Sequence, residues 1–274
     1  MVKKLSIITI TYKDSQGLQT TLDSLKPLSQ SDIKWEHVIV DSSPEINKAV
    51  ISSLPASWPL IYKTIPAQGV YDAFNHGLGA SKGEWIWLLN GGDRLKSLEA
   101  LKIVLSEIQQ ARDIDLVLAA VALTKNGKYQ YTQIPNRQLE KNILGSQKLC
   151  QQGLIYKAAL FKKTGLFSTK YKIASDYEHH FRCMLSGAKT LQCADVIAEF
   201  DMSGSSANYK LAFKEFKKIH KELRSKLPLK LTLINEIYRR KDYLRVLLLK
   251  FFAQSPLAPI LRPLWIAWNR GFRL

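Results

Sequence analysis

The residues best suited to chemistry in this chain are carboxylates that follow apolar runs. The clearest case is residues 84–94, EWIWLLNGGDR. Residues 85–89 are apolar and aromatic and read as a buried strand. The run breaks at Asn90-Gly91-Gly92 and ends on Asp93. An acid just past a strand lies on the edge where open α/β sheets bind ligands, and the paired glycines let a bulky or charged group approach the backbone. The plain alternative is a tight turn in which Asp93 caps the next helix. Asp41 occupies the same place in HVIVDSSP. Asp14 follows the first apolar run, and Asp72 sits at the start of a helical stretch. Four carboxylates gathered at one cleft repel each other unless a cation or a hydrogen-bonding ligand offsets them. Asp176, in ASDYEHHFR, is either a helix N-cap or a general base facing that cleft.

The elements that must position these acids follow from periodicity. Residues 5–11 (LSIITIT) are a β-branched run, a strand buried on both faces. Residues 12–17 are polar and loop-like, and 19–25 have helical spacing with Leu18, Leu22 and Leu25 on one face. Strands are expected at 37–40, 60–65, 85–89 and 116–123, with helices at 70–80 and 98–109. Strands alternating with helices predict an α/β fold with a mostly parallel sheet. Parallel strands place Asp41 and Asp93 on the same edge. Residues 124–150 read as irregular, with Asn126-Gly127 at a hairpin turn. A strand is expected within 151–156, a helix within 174–185 and a strand over 189–200.

The net charge is +17 and is unevenly spread. Residues 1–207 hold 24 Lys and Arg against 19 acids, and 208–274 hold 16 against 4. The asymmetry points to an anionic partner. In the tail, Tyr209, Phe213, Phe216, Ile219, Leu223 and Leu227 recur at helical spacing among Lys210, Lys214, Lys217, Lys218 and Lys221. A second helix is expected around Leu233, Ile237, Leu244, Leu248 and Phe251, with Arg239, Arg240, Lys241 and Arg245 beside it. The segment 256–274 adds Trp265 and Trp268 among arginines. No uncharged apolar window is long enough to span a bilayer. Basic amphipathic helices with Trp suit an anionic membrane surface; packing on the rest of the chain is the alternative. No nucleic-acid-binding motif is present, so nucleic acid is not expected. Three cysteines form no paired framework and no secretory segment follows Met1, so a reducing cytoplasm is the expected compartment. A domain at 1–207 and a basic tail at 208–274 are the expected divisions.

Four stretches in order, LSIITITYKD, HVIVDSSP, GVYDAFNHGLGASKGEWIWLLNGGD and QQGLIYKAALFKKTGLFSTKYKIASDYEHHFR, resemble the family 2 glycosyltransferases. The resemblance covers roughly residues 3–206 and is closest to bacterial enzymes of surface-polysaccharide synthesis. It implies a GT-A nucleotide-sugar-binding sandwich, a divalent Mn²⁺ or Mg²⁺ ion and inversion at the sugar. It further implies that Thr11, Tyr12 and Asp14 meet the nucleoside and that Asp41 binds the uracil side of a UDP-sugar. Tyr71, Asp72 and Asn75 would border the donor. Asn90 and Asp93 would face the diphosphate, with Asp93 as the metal ligand. Gln152 would lie on the acceptor side, and Asp176 would be the catalytic base. The family often has two carboxylates where this chain has Asn90-Gly91-Gly92-Asp93, so one acid must hold the cation with help from diphosphate and water.

Glycosyl transfer needs charge neutralisation on the leaving diphosphate, a base for the acceptor hydroxyl and an aligned donor. Glu178, His179 and Asp201 are rivals to Asp176 as the base. The adjacent His179 and His180 point in different directions on a helix, so they do not make a metal pair. The resulting expectation is an inverting transferase acting on a lipid-linked or saccharide acceptor at the inner face of the membrane. The alternative is a catalytically weak, membrane-associated scaffold of a polysaccharide assembly complex.

Overall fold

A computed structural model describes residues 4–111, 113–144, 149–203, 209–229 and 231–233. Nine strands form one sheet among these residues, in the order β3-β2-β1-β4-β8-β6-β9-β5, with β7 against β6. The strand β1 (Leu5–Thr11) pairs in parallel with β2 (Trp35–Asp41) and β4 (Trp85–Leu88), and β2 pairs in parallel with β3 (Leu60–Thr64). The helices α1 (Ser15–Leu25), α2 (Pro44–Ser52) and α3 (Val70–Ala80) make the crossovers. Both faces of β1 and β2 are covered, and nearly every residue of the two strands is buried. Gly77 of α3 lies directly on β1; a β-carbon there would sit 2.4 Å from the Ile8 side chain.

Beyond β4 the sheet becomes mixed. The strand β8 (Leu154–Lys157) runs antiparallel to both β4 and β6 (Leu116–Lys125). The long β9 (Thr190–Asp201) runs parallel to β6 and antiparallel to the short β5 (Arg94–Leu95). Helix α4 (Leu98–Gln110) joins α1 in covering one face, where Leu18, Leu22, Leu101, Val104 and Leu105 pack with Trp85 and Trp87. The hairpin from β6 to β7 (Lys128–Gln133) turns at Asn126 and Gly127, both left-handed at φ 50° and 72°.

Buried strands carry polar side chains only where partners exist. Trp58 Nε1 donates to His37 Nδ1 at 3.2 Å, so the other nitrogen of that ring, Nε2, carries its proton toward Thr9 Oγ1 at 2.9 Å. Thr9 in turn donates to the Leu89 carbonyl at 2.8 Å. This chain of bonds crosses β2 and β1 and fixes the end of β4. Burial holds the His37 imidazole at a pKa of about 3, so it is neutral.

Several elements differ from expectation, among them α2 and β5, which were not expected. Helix α1 begins at Ser15, because Asp14 caps it by accepting from Gly17 N at 2.7 Å. Residues 124–150 are less irregular than their composition implies, since they contain β7 and α5 (Leu139–Leu144). Helix α6 (Ala158–Thr164) follows β8 directly. Helices α5 and α6 are short, with too few turns for a periodic apolar pattern.

The chain divides into two compact units, residues 1–143 with 147–226 and residues 144–146 with 227–274. Helix α8 (Tyr209–Leu223) belongs to the first unit, docked through Glu215, Ile219 and Leu223 against the region of α7 (Ser175–Leu185). In the second unit, Thr232 Oγ1 lies 3.2 Å from the Pro228 carbonyl oxygen. The expected second tail helix and the segment 256–274 fall outside the described residues.

Candidate active site

The register of the parallel strands sets the site. Thr11 pairs with Asp41 and Ile8 with Leu88, so β1, β2 and β4 end on one edge. At that edge the Asn90–Asp93 turn is tied down on every side. Gly91 N donates to the Ile10 carbonyl at 3.1 Å and Gly92 N to the Gly17 carbonyl at 2.9 Å. Gly92 is left-handed at φ 98°, and a β-carbon on Gly91 would press to 3.3 Å from the Ile10 oxygen. Thr21 Oγ1 accepts from Gly92 N at 2.9 Å and donates to the Asp93 carbonyl at 2.7 Å. Thr21 was not among the expected residues. Its sequence signal is a polar residue within the buried Leu18–Leu22–Leu25 stripe.

Asp93 does not cap a helix; Ser97 caps α4, accepting from Ala100 N at 3.1 Å. The Asp93 carboxylate is buried, and its Oδ2 accepts from Asn90 N at 3.0 Å and Gln152 Nε2 at 2.8 Å. Burial pushes its pKa up to about 7; the Gln152 and Asn90 bonds pull it back, and the Asp201 charge pushes it further up. Gln152 is held there because Trp87 Nε1 donates to its carbonyl at 2.7 Å.

Asp41 is fully enclosed. Its Oδ1 accepts from Ser43 N at 2.8 Å and Asn47 Nδ2 at 2.9 Å, and its Oδ2 from Tyr62 OH at 2.8 Å. Burial and the adjacent Asp41 carboxylate both push the Tyr62 phenol up. Ser43, Asn47 and Tyr62 are partners that sequence reasoning missed. Ser43 Oγ also accepts from Lys13 N at 2.7 Å, which joins the loop after β1 to the loop after β2. Tyr12 on that loop is exposed, with the Lys13 ammonium 5.2 Å from its ring centre. Thr11 is buried at the strand end, and Asp14 is occupied as the α1 cap.

The opposite wall comes from α3 and α7. The Tyr71 hydroxyl lies 2.5 Å from the Ile173 carbonyl oxygen and 3.0 Å from Asp176 Oδ1, with donation open to both. Asn75 donates to the Phe167 carbonyl at 2.8 Å and accepts from Phe167 N at 3.0 Å, so its amide holds the loop before α7. Asp72 pairs with His76 on the same helix at 3.8 Å. Asp176 is not the N-cap of α7, a position taken by Ala174. It sits in the first turn, half-buried, where a helix favours negative charge, and also accepts from Tyr177 N at 2.8 Å. Cys150 lies between the walls: its thiol donates to Gln152 Oε1 at 3.0 Å. Burial first, then the charges of Asp93 and Asp176, push that thiol up.

The rival bases are committed elsewhere. Glu178 accepts from Arg182 Nε and Nη2, both at 2.8 Å. His179 and His180 are core residues, bonded to Thr164 and Tyr156, and burial drives both imidazoles neutral, His180 to about 3. Asp201 accepts from Ser203 and from the Asn126–Gly127 turn, and these bonds hold it at about 2. Among the described residues no three or more His, Cys, Asp or Glu side chains group as metal ligands. A hard cation is nevertheless compatible with the turn. Asp93 supplies a carboxylate, and Asn90 Oδ1 is a buried acceptor without a hydrogen-bond partner.

The fold and its acid-bearing edge define a class, the GT-A glycosyltransferases. S. aureus TarS with UDP-GlcNAc aligns with a TM-score of 0.64 at 18% identity, over 81% of this chain and 66% of that one. A mannosyltransferase from Pyrobaculum calidifontis, solved with GDP-Man and Mn²⁺, also gives 0.64, at 16% identity over 87% and 70%. Residues 6–181 match glycosyl transferase family 2, and the chain belongs to that family. A PGL/p-HBAD biosynthesis glycosyltransferase of Mycobacterium bovis is 28% identical over 78% of this chain and 82% of its own length. An uncharacterised glycosyltransferase of Mycobacterium tuberculosis is 25% identical over 73% and 76%.

Proposed function

We propose that this glycosyltransferase is an inverting enzyme that moves a hexose or N-acetylhexosamine from a UDP-sugar to a hydroxyl of a lipid-linked or saccharide acceptor. The product would enter bacterial surface polysaccharide or glycolipid synthesis. The observation that carries this reading is a pair of separately held carboxylates, Asp93 at the strand edge bonded by Gln152 and Asp176 on α7 bonded by Tyr71. The two aligned structures hold UDP-GlcNAc and GDP-Man, which supports a nucleotide-sugar donor here.

In this reading the loop of Thr11, Tyr12 and Asp14, with Asp41 beneath it, receives the nucleoside. Ligand contact with Asp41 would have to share it with Tyr62. Asp93, with Asn90 Oδ1 close to it in sequence, would hold Mn²⁺ or Mg²⁺ against the diphosphate; when bound, the ion offsets the charge that develops on the leaving group. Gln152 orients Asp93 and lines the acceptor side. Tyr71 and the Tyr177 amide fix the Asp176 carboxylate, which takes the acceptor hydroxyl proton as the oxygen attacks from the face opposite the diphosphate.

The outward face of α8 carries the exposed Lys214, Lys217, Lys218 and Lys221. That face supports docking on an anionic leaflet at the inner side of the cytoplasmic membrane. No described helix is long and apolar enough to cross a membrane. Flotation with anionic vesicles at low salt tests the docking, and a protein that stays in solution contradicts it. The donor reading is tested by a thermal-shift panel of UDP- and GDP-sugars with and without Mn²⁺. A UDP-sugar should raise Tm more than its GDP counterpart, and more with Mn²⁺ than without. No shift with any donor would overturn it.

A further inference from the structure

Helix α8 meets the segment that carries Asp176 through Glu215, Phe216 and His220. It is strongly basic, yet its buried face carries an acid, Glu215. That carboxylate accepts three consecutive backbone amides: Lys172 N at 2.8 Å on Oε1, and Ile173 N and Ala174 N, each at 3.0 Å, on Oε2. These residues form the turn that leads into α7, two positions before Asp176. The carbonyl of the same Ile173 meets the Tyr71 hydroxyl that also touches Asp176. Around this anchor, the Phe216 ring stacks edge-on against Tyr177 at 4.9 Å and His220 Nε2 lies 2.6 Å from the Tyr177 hydroxyl. A carboxylate holding three successive N–H groups fixes the local backbone path. It also satisfies donors that the start of α7, capped by Ala174 with no side-chain bond, would otherwise leave exposed.

We propose that Glu215 is a positioning residue that sets Asp176 in place, so that α8 belongs to the catalytic unit rather than to a membrane tail alone. The proposal rests on the reading of Asp176 as the base. If Glu215 is lost, the 172–174 turn relaxes and Asp176 with it, while the Asp93 and Asp41 edge, built on strands, is unaffected. Misplacement of a catalytic group by about 1 Å costs on the order of 100-fold in turnover.

The test compares two substitutions on the same helix face in the full-length protein. Glu215→Gln keeps the shape but puts an amide where a carboxylate oxygen accepted. Glu222→Gln weakens the neighbouring bonds to Lys170 and Tyr171 and leaves the three amides on Glu215 in place. Three readouts are taken: hydrogen exchange at amides 172–174, UDP affinity with Mn²⁺ by calorimetry, and UDP release from UDP-glucose, UDP-galactose and UDP-GlcNAc. Glu215→Gln should speed exchange at 172–174 and lower kcat on the order of 100-fold, with UDP affinity within about twofold of wild type. Glu222→Gln should leave all three unchanged. In an Asp176→Asn background, Glu215→Gln should cost nothing further. Unchanged exchange at 172–174, or a kcat loss that multiplies with that of Asp176→Asn, overturns the positioning role. Turnover retained by Asp176→Asn alone overturns the base reading instead, which separates the two failures.

Discussion

Asn90 and Asp93 stand three residues apart and bond within a single turn, whereas Tyr71 and Asp176 are bonded across 105 residues of sequence. The strand edge rests on strand ends in fixed register and a glycine turn, with Thr21 and Gln152 bonding Asp93 from elsewhere in the chain. The facing wall is assembled from α3, α7 and α8, and its carboxylate depends on contacts between elements. Damage to the first should therefore show in nucleotide binding, and damage to the second in turnover.

The largest expected effect is at Asp93. Asp93→Ala should abolish both the Mn²⁺-dependent part of UDP binding and sugar transfer, because no second carboxylate stands in the turn. Retention of Mn²⁺-dependent UDP affinity, measured by calorimetry, would detach the metal from this edge. Next is Tyr71→Phe. It removes one hydrogen bond to a charged group, worth about 1.5–3 kcal/mol, so kcat should fall roughly 10- to 100-fold with UDP affinity unchanged. Equal losses in both would merge the two walls.

A pH effect belongs to the folded state rather than to either wall. His37 and His180 are held at about 3 and His179 well below its ordinary value, all by burial. Below about pH 6.5 the unfolded chain binds three protons that the native chain excludes. Asp93, raised to about 7, works the other way and binds one proton in the native state that the unfolded chain releases above about pH 3.9. Between those limits the balance lies on the unfolded side, so stability falls as pH falls. Urea unfolding in chelator from pH 7.5 to 5 measures the slope. A flat profile would mean that the histidines are not buried as described. The smallest effect is at Asp14: loss of the α1 cap in Asp14→Ala should cost about 1 kcal/mol, seen in the same unfolding curves, with kcat little changed.

The comparison of the two walls also explains what the sequence reveals. Strand runs such as LSIITIT and HVIV, and the helix at 70–80, can be read because burial on two faces or on one leaves a periodic imprint. Asp41 and Asp93 can be read because both sit where such runs stop. Their partners leave little imprint, since Tyr62, Asn47 and Gln152 matter only once strands are paired. Asp14, expected at the nucleoside, also caps α1, so the helix starts at Ser15. Glu215 is the hardest to see: a single acid among lysines reads as part of a solvated face, and only the docking of α8 shows that it is buried.

The central claim is that the strand edge binds the nucleotide while a separately held carboxylate on α7 performs the proton transfer. The most direct measurement is Asp176→Asn, with UDP·Mn²⁺ affinity and UDP-sugar turnover determined on the same preparation. Affinity equal to wild type with turnover reduced about 10²- to 10⁴-fold is the predicted result. Turnover near wild type, or affinity lost in step with it, would contradict the account.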